Sequence, residues 1–350
     1  MTVSSRMRVR TQLRRWQPSQ VAVTLGMLAL LGGAFPVSAV RASSAAPTFT
    51  TLAPLPFLRT TDAAAGPDGN IYTIAGQHGG TPLWQVLEYD PAANTWTQRS
   101  NYPDTKSAMG VVTGHDGLIY SMGGIGWGTT SAMYAYNTVA DTWTERAPLP
   151  TARFGLAAAV APDGRIFAIG GSVLTGTKSI QKASAEVDAY TPHTNTWKKV
   201  GSLPKAFATP SATTGADGRI YVVEGCTSKG CLSRSGAPAK GPLTPQLLAY
   251  DPTTNRWATL APPPLPRSFP SVIAGADGRI WVIGAGGYAS TDNSAEVYTP
   301  AINRWTLVPS LATPISAPAL ARGTDGRVYG IGGIDMAKGE EVTTVTSFPS

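Results

Sequence analysis

One unit is written six times along this chain, and no other feature narrows its fold as far. Asp-Gly occurs at Asp68, Asp116, Asp163, Asp217, Asp277 and Asp325, spaced by 48, 47, 54, 60 and 48 residues. A bulky pair follows each time: Ile71-Tyr72, Ile119-Tyr120, Ile166-Phe167, Ile220-Tyr221, Ile280-Trp281 and Val328-Tyr329. A pair of mostly small residues closes that run at Ala75-Gly76, Gly123-Gly124, Gly170-Gly171, Glu224-Gly225, Gly284-Ala285 and Gly332-Gly333. Five repeats then carry a tyrosine (Tyr89, Tyr136, Tyr190, Tyr250, Tyr298) with a tryptophan seven residues later (Trp96, Trp143, Trp197, Trp257, Trp305). Such a period signifies small supersecondary units packed side by side rather than one large core.

Each landmark has a mechanical reading. Asp-Gly between apolar runs supplies the positive φ angles of a tight hairpin turn. Two residues before each tryptophan stands Asn94, Asp141, Asn195, Asn255 or Asn303, and such side chains bond their own backbone and tolerate the left-handed region. Each repeat therefore predicts four short antiparallel strands, and no helical periodicity competes. A lone four-stranded sheet leaves two faces and two edges uncovered, which radial packing of several sheets resolves. The glycine doublet, the tyrosine and the tryptophan at these offsets resemble the kelch family, and the resemblance covers the chain from Thr48 onward. It implies an all-β fold, a six-bladed kelch-type β-propeller with four antiparallel strands per blade. The sixth repeat lacks a Trp strand, whereas Thr48-Phe49-Thr50-Thr51-Leu52-Ala53-Pro54-Leu55-Pro56 parallels Thr142 to Pro150. We therefore expect the N-terminal strand to complete the last blade, with Phe49 in the Trp position and Glu341 to Thr346 as that blade's third strand.

Residues 1–42 read as a signal peptide, followed by a flexible lead-in at 43–47. Arg6 to Arg15 form a basic stretch, Val21 to Leu31 an apolar one, and Val37-Ser38-Ala39 and Val40-Arg41-Ala42 both suit a signal peptidase. The uninterrupted apolar stretch is 11 residues long, against roughly 20 needed to cross a bilayer, so a membrane association would require this segment to stay uncleaved. Arg14-Arg15 is followed by Trp16-Gln17-Pro18, a poor twin-arginine context, which favours Sec export. A secreted, periplasmic or cell-envelope location is expected. The formal charge of +7 belongs to this segment: its six arginines removed, 22 basic residues face 21 acidic ones, which offers no electrostatic case for nucleic acid. Composition also argues against disorder and against a disulfide scaffold, with 42% hydrophobic residues and two cysteines.

In an up-and-down blade the 1–2 and 3–4 turns lie at one end, and all are short here. The 2–3 and 4–1 connections lie at the other end and carry all the length variation, at Ser172 to Ser184 and at Cys226 to Gln246. Binding is expected at that end, around the mouth of the central channel. Trp84 and Trp127 fall in 2–3 connections of adjacent repeats and suit stacking on sugars or partner side chains; the alternative is that they fold back over sheet edges. Arg59, Lys106, Arg153 and Arg267 occupy the start of the first strand, where the fourth and sixth repeats have Phe207 and Ile315. They read either as a partial ring for a carboxylate or sulfate, or, as the kelch resemblance implies, as arginines bonding loop carbonyls between blades. Glu224 replaces a doublet glycine and reads as an acid/base group, a partner for Arg267, or repeat drift. Cys226 and Cys231 bracket a four-residue loop segment, and export favours a small disulfide there.

His78 lies at the binding end, while His115 and His193 fall at the other, so no two histidines are placed to share a metal. The copper set of galactose oxidase, a kelch-type enzyme, therefore cannot be placed here, and no phosphate-binding loop, nucleophile elbow or HExxH motif occurs. No cofactor or metal is expected. The sequence reads as a secreted, monomeric binding module for a protein or carbohydrate ligand. The alternatives are a sugar-acid-modifying, epimerase-like enzyme using Arg153, Arg267 and Glu224, and a structural envelope protein.

Overall fold

A computed structural model describes residues 48–175, 180–223, 225, 245–267, 269–284, 295–308 and 314–350. Glu224, Cys226 and Cys231 lie outside the described residues, as does the segment read as a signal peptide. Among the described residues the fold is all-β, with one short 3-10 turn at Pro300–Ile302. Each repeat forms an antiparallel meander. The first runs Thr60–Ala65, Ile71–His78, Thr81–Asp90 and Thr95–Arg99, and the second Gly110–Thr113, Ile119–Met122, Met133–Asn137 and Thr142–Arg146. The third, fourth and fifth repeat the order. In the sixth, Ala319–Arg322, Arg327–Ile331 and Val345–Pro349 are joined by Thr50–Thr51, which pairs with the last of them through Thr50 to Ser347.

In the first five repeats the centre of the second strand (IYTI, IYSM, IFAI, IYVV, IWVI) is buried at every position. It is an unbroken apolar run because neighbouring sheets cover both of its faces. The apolar clusters accordingly lie between consecutive repeats; one unites Tyr72 and Ile74 with Ile119 and Tyr136. Another unites Ala321, Tyr329 and Ile331 of the sixth repeat with Leu55, Ile71 and Tyr89. The first strands also touch in order from repeat to repeat, with Ala319–Arg322 lying against Thr60–Ala65.

The landmarks prove to be stitches. Tyr89 donates to Asn94 at 2.7 Å, and the same oxygen accepts the Ala53 amide at 2.8 Å. The Trp96 indole N–H donates to the Ala53 carbonyl at 3.0 Å. Tyr190, Asn195 and Trp197 repeat this clamp on Ala147, and Tyr298, Asn303 and Trp305 repeat it on Ala261. Each clamp grips the chain as it arrives from the preceding repeat, and each central residue sits at a positive φ (50° to 56°). The second doublet glycine joins the next repeat: the amides of Gly76, Gly124 and Gly171 donate to the carbonyls of Lys106, Arg153 and Phe207 at 2.8 to 2.9 Å. At Gly76, φ is +110° and an added Cβ would lie 2.0 Å from the Thr60 carbonyl oxygen, so no other residue fits.

Two expectations need correction. The third strand of the sixth repeat is Val345–Pro349 rather than Glu341 to Thr346. Phe348 takes the tyrosine place there, opposite Val328, and its ring lies 4.9 Å from that of Phe49. The 2–3 connections, read as loops, are largely hairpins where they fall among the described residues. Ile71–His78 and Thr81–Asp90 pair up to a Gly79-Gly80 turn. Ser172–Thr175 pairs with the start of Ile180–Thr191, and Ile334–Asp335 pairs with both Glu340–Glu341 and Ile315–Ser316. Beyond the doublet the two chains still face one another with free amides and carbonyls, and continuing the ladder satisfies them.

Candidate functional site

All four cations at the start of the first strands are buried. Arg153 donates through Nη1 to the carbonyls of Gly170 and Glu186, both at 2.9 Å, and through Nη2 to Asp188 at 2.5 Å. Arg267 donates through Nε to Glu296 at 2.8 Å, whose other oxygen accepts the Leu265 amide. Arg59 donates to the carbonyls of Ala75 and Gln85. Lys106 pairs with Asp104 at 3.2 Å and lies over the rings of Tyr102 and Tyr134. These side chains therefore bind within their own repeats, while the backbone carbonyls of Lys106 and Arg153 receive the glycine amides of the repeat before. Burial lowers the Arg153 guanidinium and pushes Asp188 up to about 6, with Arg153 opposing that rise.

The acids Asp188 and Glu296 were missed in the sequence, yet a signal exists. Each stands two residues before its repeat's tyrosine, at one register position. That position is Tyr134 beside Lys106, and Leu87 in the repeat of Arg59. An acid appears there in the third and fifth repeats, each of which also carries an arginine at the strand start.

Deeper on the first strands, side chains bridge repeats. Asp62 accepts the Met109 amide at 3.3 Å, Ser211 accepts the Val272 amide at 3.2 Å, and Ser271 donates to the Pro318 carbonyl at 2.7 Å. Asp62 alone does this with a carboxyl. Burial pushes it up to about 7, opposed by the Met109 amide and by Arg59. A carboxyl raised on folding binds its proton more tightly in the native state. Its contribution to stability is complete below about pH 4 and is lost as pH rises through 7. Asp62→Asn is therefore expected to stabilise the protein by about 2 to 4 kcal/mol at pH 8 and to leave it unchanged near pH 4. Thermal unfolding of both proteins across that range measures this, and equal shifts at both ends would contradict it.

The opposite arrangement holds at the hairpin tier. Trp127 is fully exposed, and Trp84, which stands on the strand Thr81–Asp90 rather than in a loop, is 45% exposed. The His78 imidazole meets Glu341 at 2.7 Å, and the same carboxylate accepts the Gly79 amide, joining the hairpins of the first and sixth repeats. No group of three or more His, Cys, Asp or Glu side chains able to hold a metal occurs among the described residues.

The Kelch motif family model matches residues 153–204, which run from Arg153 through the third repeat's clamp. Over those residues the chain carries a kelch motif. Beta-scruin of Limulus polyphemus is 30% identical to the chain over 130 residues, 36% of this chain and 13% of scruin's own length. The solved structure of YjhT superposes with a TM-score of 0.68 at 16% identity, covering 85% of this chain and 97% of that one. That likeness concerns the propeller fold alone.

Proposed function

We propose that this kelch protein is an exported six-bladed propeller, closed by its N-terminal strand, which binds a protein or glycan at its 2–3/4–1 end. Circular closure is supported by the pairing of Thr50–Thr51 with Val345–Pro349, by the apolar cluster shared between the sixth and first repeats, and by the contact of their first strands. Export is supported by the basic, apolar and small-residue succession in residues 1–42. At the 1–2 end, Asp68, Asp116, Asp217 and Asp325 each accept a hydrogen bond from a tyrosine of their own repeat, so that end spends its polar groups internally. The observation that carries the binding end is Trp127, an indole touching nothing on a backbone that is itself held in place. The sugar-acid alternative rested on Arg153 and Arg267 together with Glu224, and both arginines already hold internal carboxylates.

The test expresses the full chain, separates cell fractions and determines the mature N-terminus. Cleavage after Ala39 or Ala42 and recovery outside the cytoplasm are expected. Retention of the purified protein on host envelope material is expected to be lost in Trp127→Ala and kept in Val139→Ala, whose side chain is exposed at the other end. The converse pattern, or an uncleaved cytoplasmic product, would overturn the reading.

A further inference from the structure

We propose that the ligand of this end is a neutral polysaccharide, whose sugar rings stack on the indoles of Trp127 and Trp84 across the first and second repeats. The proposal rests on the binding-end reading above and names its ligand class. Trp127 crowns a turn whose backbone is fixed on both sides. Ser107 and Ile125 exchange amide–carbonyl bonds at 2.9 and 3.0 Å, Gly126 donates to Gly128 at 3.1 Å, and Thr130 donates to Gly124 at 3.1 Å. Both neighbours of the indole are glycines. A Cβ at Gly126 would lie 2.4 Å from the Thr105 carbonyl oxygen, whereas one at Gly128 would meet nothing within 4 Å. The ring is thus presented with little beside it to cover either face, at a hydrophobic cost that no packing among the described residues offsets.

Trp84 belongs to the same small ladder. Leu83 bridges to Lys106, Ser107 to Ile125, and Ile125 to Thr129, all antiparallel, and the Tyr102 amide donates to the Trp84 carbonyl at 2.8 Å. Strands in such a ladder lie about 4.8 Å apart, so the segments bearing the two indoles are separated by roughly 10 Å, within the span of a short oligosaccharide. Partly exposed Thr105, Thr129 and Ser131 lie in and beside this ladder and offer hydroxyls for sugar hydroxyls.

Charge and area separate this ligand from two others. An acidic ligand needs an accessible cation, and Lys106, the cation of this ladder, is 2% exposed and already paired with Asp104. A protein partner needs roughly 800 Å² on each side around an apolar centre. The large apolar side chains exposed toward this end among the described residues are Leu58, Trp84, Trp127 and, on the outer strand of the fifth repeat, Leu307. Aromatic side chains cover about 150–250 Å² each, and with Trp84 only 45% exposed the two indoles supply less than half that area, enough for ring stacking.

The experiment measures retention of the purified protein on swollen cellulose, chitin, mannan and starch, and follows its tryptophan fluorescence with the corresponding soluble oligosaccharides. Retention on at least one polymer is expected, weakened about tenfold in Trp127→Ala, a loss of about 1.4 kcal/mol, and less in Trp127→Phe and Trp84→Ala, with Val139→Ala unchanged. Matching thermal unfolding of the variants excludes a folding defect. Retention on none of the four polymers, or retention indifferent to Trp127, overturns the polysaccharide assignment. If envelope material still binds in a Trp127-dependent way, the binding-end reading survives that failure; if it does not, both fall.

Discussion

A chain lacking residues 48–56 is expected to lose cooperative folding, while one beginning at residue 48 keeps it. The segment is small, but what it touches is not. Leu52 and Leu55 donate amide bonds to the carbonyls of Val345 and Thr343 at 2.9 and 2.8 Å, and Leu55 is 3% exposed in the cluster that joins the sixth repeat to the first. Ala53 is the anchor for both Asn94 and Trp96. Removing a buried leucine alone costs about 2–5 kcal/mol. Opening a sheet edge and emptying a clamp add to that, against a total stability of about 5–15 kcal/mol for a typical domain. Circular dichroism melts and soluble yield of the two truncations measure the difference. A sharp transition at an unchanged temperature in the shorter chain would show that the last sheet does not depend on its fourth strand.

Asp188→Ala is expected to destabilise the protein by about 3–5 kcal/mol, since it strands a fully buried guanidinium without its carboxylate. Replacing both partners, Arg153→Met with Asp188→Leu, is expected to recover most of that loss, because two apolar side chains of similar size carry no desolvation cost. The two results together, read from denaturant midpoints, distinguish a structural pair from a ligand-binding cation. If the double variant folds normally but loses envelope retention, Arg153 has a role in the ligand site that its burial does not suggest. A single variant no worse than a surface substitution would contradict the pairing itself.

The two ends of the molecule were unequally legible. The short 1–2 and 3–4 turns could be read residue by residue, because Asp68 with Gly69, or Asn94 before Trp96, acts within a few residues of chain. The hairpin tier at the other end could not. Its pairings depend on where the glycine doublet leaves each strand, and segments such as Gln77 to Leu83 alternate too weakly to declare themselves. Trp84 was placed in a loop for that reason, although it stands on a strand. Phe348 was overlooked because the motif there is a phenylalanine with no tryptophan behind it in the chain. The cations were located correctly and their surroundings were not: Arg153 and Asp188 are 35 residues apart, and only the strand register brings them together.

The sequence by itself determined the repeat, the four-strand unit and the kelch resemblance, since each landmark is a local device repeated at a regular interval. It also marked Trp127 as an aromatic without a place in the repeat. The tertiary structure alone decided which polar groups are spent. Four cations at equivalent positions look alike in one dimension, but their burial and partners are set by cross-strand neighbours and by the adjoining sheet. A buried charge is held by whatever the fold places against it, whereas an exposed indole on a pinned turn is left for something outside the chain.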